Sequence, residues 1–182
     1  MEGRTHISSS ELADYMSIEW IVVRRDIALT GIKGQRRVGY NINELIQYIR
    51  EYIGWTKPMT ATLIGAGALG SAILGHDDFR RYGLQIESVF DCDTDKIGKE
   101  IHGHEIYDIA TIRTRLKINL PKIAILCVSN SSAQLIADQL VSLGIKFIWN
   151  FASTCLKVPP GVVVQREILA GGLAMLGVKI KN

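Results

Sequence analysis

The chain has 182 residues, room for one or two domains, and its 47% hydrophobic and 21% charged side chains belong to a folded protein rather than a disordered one. A net charge of +3, from 21 Lys and Arg against 18 Asp and Glu, is too small to name a partner by itself. Three widely spaced cysteines without metal-ligand spacing exclude a disulfide framework and argue against a metal, and no apolar run reaches the roughly 18 residues of a membrane span, so a reducing, cytoplasmic setting without membrane or metal is expected.

Residues 1–53 read as helical with a basic turn. Ser8-Ser9-Ser10-Glu11 has capping-box spacing and predicts a helix over Ser9–Met16. A break near Ser17 separates it from a second helix over Ile18–Leu29. Thr30–Gly39 carries Gly31, Gly34 and Gly39 and predicts a turn between two short strands. Asn41 or Asn43 then caps a helix over Glu44–Tyr52, with Leu45, Ile46 and Ile49 on one face. Between Arg24 and Arg37 five basic residues (Arg24, Arg25, Lys33, Arg36 and Arg37) face a single acid, Asp26, making this stretch more basic than the chain as a whole. Two short helices followed by a basic turn describe a small winged helix-turn-helix domain, its second helix in the DNA major groove and its wing along the backbone. The same pattern fits a helical cap with a solvated basic loop.

Residues 54–59, with Pro58, read as a linker into a domain expected over 60–166. The apolar strand Thr60–Ile64 runs straight into Gly65-Ala66-Gly67-Ala68-Leu69-Gly70, followed by a helix reaching Leu74 and at most Phe79. This is GxGxxG in the context that gives it meaning, strand before and helix after. Gly65 permits the tight turn, Gly67 lets a pyrophosphate approach the backbone, and Gly70 lets helix and strand pack closely. A second strand, Ile86–Phe90, ends in Asp91, where a carboxylate is expected to accept hydrogen bonds from the adenosine ribose. Its charge would repel a 2′-phosphate, favouring NAD(H) over NADP(H). The alternative is a strand-end turn residue ahead of a capped helix. Ile123–Val128, Ile145–Trp149 and Val162–Gln165 continue as strands, with a helix over Ser131–Leu143. The expected fold is α/β, a Rossmann-like parallel sheet with helices on both faces, which puts Val128, Ser129 and Asn150 at strand ends beside the cofactor. Residues 167–182 read as a C-terminal helix.

Catalytic chemistry is not expected. None of His6, His76, His102 and His104 lies at a strand end beside a partner, with His102 and His104 placed in a loop, and Ser153 and Thr154 lack a base. The segment after the last strand is too short for a substrate domain.

Several segments, in order, resemble the Rex family of redox-sensing transcriptional repressors. They are Ile7–Ala13, Val23-Arg-Arg-Asp26, Arg36 with Val38-Gly-Tyr40, the glycine loop, Phe90-Asp-Cys-Asp93, Ile97–Ile101, Ala124-Ile-Leu126, Gly144-Ile-Lys146 and Asn150-Phe-Ala152. The resemblance implies a homodimer that binds operator DNA and is released by NADH. It implies dinucleotide contacts from Gly65, Gly67, Gly70 and Asp91, DNA contacts from Arg24, Arg25 and Arg36, and a C-terminal helix exchanged between subunits. Glu167 falls where the family has an Asp that pairs across the dimer. The family's first helix has no counterpart after Met1, Ala28-Leu29-Thr30-Gly31 replaces Ser-Tyr-Phe-Gly, and Trp20-Ile21-Val22 stand where polar residues would meet base edges. These departures suggest an alternative, a Rex-like NAD(H)-binding sensor or interaction module without specific DNA recognition.

Overall fold

The structure is a computed structural model describing residues 4–168 and 170–181. They divide into two units between Lys57 and Pro58, inside the expected linker.

The first unit runs β1 (His6–Ile7), α1 (Ser9–Met16), α2 (Trp20–Leu29), β2 (Tyr40–Asn41) and α3 (Ile42–Tyr52). The capping box closes as the spacing predicts: Glu11 N–H donates to Ser8 Oγ at 3.2 Å, and Ser8 N–H donates to Glu11 Oε2 at 2.9 Å. Ser17, left-handed at φ 54°, ends α1, and Glu19 is extended, so α2 starts at Trp20 rather than Ile18. The hairpin expected over 30–39 does not form as a pair of strands. It is a turn closed by one antiparallel bridge, with Gln35 and Gly39 exchanging N–H···O bonds of 2.7 and 2.9 Å. The strands that pair are β1 and β2, joined antiparallel just beyond the turn. Gly39 makes the junction possible, because at φ 94° a Cβ would lie 2.4 Å from the Ile7 carbonyl oxygen. Ile7, Ala13, Val23, Ile27, Ile32 and Leu45 form the core. Asn41 caps α3, accepting from Asn43 and Glu44 N–H. Of the three apolar positions expected on one face, Leu45 is buried while Ile46 and Ile49 stay exposed.

The second unit contains β3 (Met59–Ile64), α4 (Ala68–Leu74), α5 (Asp77–Arg81), β4 (Leu84–Asp91), β5 (Glu100–Ile101) and β6 (His104–Asp108). It continues with α6 (Ile112–Ile118), β7 (Ile123–Leu126), α7 (Asn130–Ser142), β8 (Phe147–Asn150), β9 (Val163–Arg166) and α8 (Ala170–Lys181). His104, expected in a loop, opens β6. Gly75 and His76 break the helix after the glycine loop, so α5 is a separate turn and Phe79 belongs to it. The sheet order is β5-β6-β4-β3-β7-β8-β9, parallel except for the β5–β6 pair. The chain steps outward from β3 to β6, then returns to β7 on the other side of β3. That reversal is the switch point where open α/β sheets bind ligands.

Adjacent residues of the central strands enter different cores. Leu63, Val89 and Ile125 pack with Ile73 and Leu74, whereas Ile64, Phe90 and Leu126 pack with Leu140 and Ile145. A strand covered on both faces favours apolar residues at successive positions, which accounts for the unbroken run Ile123–Val128, while the buried Thr62 of β3 is met by the Ser88 hydroxyl. Among the described residues no helix is long and apolar enough to cross a membrane.

Candidate functional site

The switch point gathers the C-terminal ends of β3, β4 and β7. Gly65 and Gly67 follow β3, Asp91 ends β4, and Val128 and Ser129 lead from β7 into α7. With Lys96 they line a crevice of about 510 Å³, the size of a small-molecule site.

The three motif glycines answer to different neighbours. Gly65 has φ 97°, and a Cβ there would sit 2.3 Å from the Cys127 carbonyl oxygen. At Gly70 a Cβ would sit 2.0 Å from the Gly65 carbonyl oxygen, so loop and helix could not close on each other. Folding alone therefore requires both. Gly67 has an ordinary φ of −76°, and nothing lies within 4 Å of where its Cβ would be. No atom of the described residues asks for glycine at that position. The backbone N–H groups of Gly67, Ala68 and Leu69 have no acceptor among the described residues, and no side chain caps α4.

Ala66 and Leu69, the loop residues expected with Ala68 to touch the dinucleotide alongside the glycines, turn their side chains inward: Ala66 is buried, and Leu69 packs beside Phe79, Trp149 and Phe151. The Ala66 N–H is already engaged, donating to Asp91 Oδ2 at 2.7 Å. Asp91 is 7% exposed, and its Oδ1 accepts the Asp93 N–H at 2.9 Å. The carboxylate thus ties the end of β4 to the glycine loop, leaving a narrow face toward the crevice. Lys96 was not among the residues the sequence singled out. Its Nζ lies 3.4 Å from Asp91 Oδ2 and 3.2 Å from Asp93 Oδ2, and the signal available was the i,i+3 spacing of Asp93 and Lys96. The Asp95 N–H, then Lys96, hold the Asp93 carboxyl below its ordinary range, and the bond to Asp93 raises Lys96.

Val128 and Ser129 reach the crevice; Asn150 does not. It is fully buried, its Oδ1 accepting the Ala152 N–H and its Nδ2 donating to the Thr154 carbonyl, each at 3.0 Å. A short amide side chain closes the local turn in preference to facing outward. Cys127 lines the crevice floor, where burial pushes its thiol up to about 12.

In the first unit Arg24, Arg25, Lys33, Arg36 and Arg37 are all exposed. Arg25 lies 3.4 Å from Asp26, and the other four have no acid within salt-bridge distance among the described residues. Trp20 and Ile21 open α2 with more than half their surface in solvent. Glu167 follows β9 and accepts the Trp149 indole N–H at 2.8 Å. It stands at the rim of a second opening of about 510 Å³ along β7–β9, lined by Met59, Ile123, Phe147, Ile148 and Val163. On α8, Leu173, Met175, Leu176, Val178 and Ile180 are exposed.

The chain is similar to several known proteins. The CoA binding domain family matches residues 56–154. A redox-sensing transcriptional repressor Rex from Treponema denticola is 43% identical over 97% of this chain and 84% of its own length. The Rex repressor of Clostridioides difficile is 37% identical over 97% of this chain and 84% of its own. Among solved structures, RSP in complex with β-NAD+ and operator DNA superposes with a TM-score of 0.89 at 34% identity, covering 97% of this chain and 82% of RSP. RSP in complex with β-NADH superposes at 0.87 and 33% identity, covering 97% and 83%.

Proposed function

The chain belongs to the Rex family of redox-sensing transcriptional repressors, its residues 56–154 forming a domain of the CoA-binding family, and from that premise we propose that it binds NADH and NAD in the crevice at the sheet switch point and so controls an operator-DNA contact made by its first unit. Its named relatives are transcriptional repressors, not enzymes, and this chain is a regulator of the same kind.

The observation that carries the cofactor reading is Gly67. The fold dictates Gly65 and Gly70, but the absent side chain at Gly67 opens a space bordered by unpartnered amides. Oriented N–H groups around a gap suit a pyrophosphate. The Gly67, Ala68 and Leu69 amides would hold that group. Asp91 would keep the loop in register through Ala66 and offer its remaining lone pairs to the ribose diol. Val128 and Ser129 would bound the opposite wall. The dinucleotide supplies the redox state that is read; the protein supplies its seat. Asn150 has no part in it.

For DNA, the exposed Arg24, Arg25, Lys33, Arg36 and Arg37 would face the phosphate backbone. The homodimer reading rests on α8, whose exposed apolar residues need a cover, and on the open apolar groove beside Glu167. A cytoplasmic location goes with operator binding. The second reading, dinucleotide sensing without a specific operator, is favoured by the exposed Trp20 and Ile21 on α2, which offer no hydrogen bonds to base edges beyond the indole N–H.

A titration with NADH, and then mobility shift at several salt concentrations with and without NADH, tests both. Binding of NADH, a steep loss of DNA affinity with salt and release by NADH are expected. NADH binding without a shift of any duplex selects the second reading, and failure to bind NADH removes both.

A further inference from the structure

The Asp91–Asp93–Lys96 cluster bears on which dinucleotide is accepted. Asp91 is nearly saturated, with one oxygen bonded to the Asp93 N–H and the other to the Ala66 N–H and approached by Lys96 at 3.4 Å. What it presents to the crevice is small. Lys96, by contrast, lines the crevice with Asp91 and Cys92, and a third of its side chain is exposed. An ammonium has three donors. Two are directed at carboxylates, at 3.4 Å to Asp91 and 3.2 Å to Asp93. Asp93 does not line the crevice, and its side chain is 43% exposed.

We propose that Lys96 sets the selectivity at the ribose end of the crevice: a cation suited to a 2′-phosphate, held in check by its two carboxylate neighbours. Two negative charges around one positive leave the local field negative, which disfavours a 2′-phosphate while Lys96 can still donate its third N–H to a neutral hydroxyl. Removing the outer carboxylate at Asp93 leaves one carboxylate to one ammonium and frees a donor for phosphate oxygen. Charge-assisted bonds to phosphate are strong enough for this exchange to decide the preference. Selectivity then resides in how Lys96 is restrained, not in Asp91 alone. This inference rests on the dinucleotide reading of the crevice.

The test measures Kd for NADH and NADPH with the unmutated 182-residue chain and with the variants Asp93→Asn, Lys96→Met and the double variant. Asp93→Asn is expected to lower the ratio Kd(NADPH)/Kd(NADH) about tenfold, the equivalent of one exposed charge-assisted contact. Lys96→Met should raise the ratio, since the negative charge of Asp91 in the crevice and of Asp93 just outside it is then unscreened, and the double variant should lose the gain. An unmoved ratio in Asp93→Asn and Lys96→Met alike, or a gain that persists in the double variant, overturns the proposal while leaving NADH binding intact. Unmutated protein that binds neither nucleotide refutes the crevice reading itself, and this inference with it.

Discussion

Substituting alanine at Gly67 and at Gly70 separates a glycine kept for a ligand from one kept for the fold. At Gly67 the added methyl meets nothing within 4 Å and the backbone is extended at φ −76°, so Gly67→Ala should fold as well as the unmutated chain. Loss of glycine's freedom in the unfolded chain should even stabilise it by about 0.4–1 kcal/mol. The same methyl enters the space beside the Gly67, Ala68 and Leu69 amides. If it displaces a pyrophosphate from even one charge-assisted hydrogen bond, worth about 1.5–3 kcal/mol, affinity falls at least about tenfold. Gly70→Ala is the mirror case. Its Cβ would lie 2.0 Å from the Gly65 carbonyl oxygen, a backbone atom that cannot swing aside. Overpacking of this kind costs about 1–3 kcal/mol, and Tm should fall by several degrees with no ligand present. Thermal unfolding gives the stability arm and NADH fluorescence titration the binding arm. A folded Gly67→Ala variant that binds NADH like the unmutated protein would refute the assignment of the crevice.

The same geometry sets other expectations. Asp91→Asn should lower Tm without any nucleotide, because an amide can accept only one of the two N–H bonds that Asp91 takes from Ala66 and Asp93, and leaving the other unmet costs about 1–3 kcal/mol; an unchanged Tm would show that the carboxylate does not pin the loop. Glu11 has its carboxyl lowered to about 2, chiefly by the bond from Arg4 and then by Ser8. A carboxyl depressed on folding stabilises fully above its ordinary value of 4.5 and loses that contribution as pH falls through about 2. The Tm gap between the unmutated chain and Glu11→Gln should therefore be constant at neutral pH and shrink below pH 4.5; a gap that widens with acid contradicts the cap. With burial pushing Cys127 up to about 12, a thiol reagent at pH 8 should label the exposed Cys92 and Cys155 and spare Cys127 in the folded protein. Mass mapping of three quickly labelled cysteines would count against that floor.

Much of the architecture was legible in the amino-acid order. The capping box set the start of α1 because its signal is local, a hydroxyl and a carboxylate one turn apart. The glycine loop was readable because strand, motif and helix are contiguous. Where distant segments decide, the reading failed. Ile46 and Ile49 satisfy helical periodicity yet stay exposed, since a period reports a face and not what covers it. The wing was expected to pair within itself, but β2 pairs with β1, more than thirty residues away. Asn150 lies at a strand end as expected, and its rotamer turns it inward to close the next turn.

The sequence by itself determined the alternation of strands and helices, the doubly covered sheet and the identity of the loop, because these rest on short-range periodicity and on backbone freedom at particular glycines. Only the tertiary structure decided which loop amides stay unpartnered, that Asp91 grips Ala66, and that Lys96 stands between two carboxylates. The first two depend on the end of β4 meeting the glycine loop at the switch point, a hydrogen bond across 25 residues that leaves no periodic trace in the chain, and the third on how the turn after β4 folds back toward Asp91.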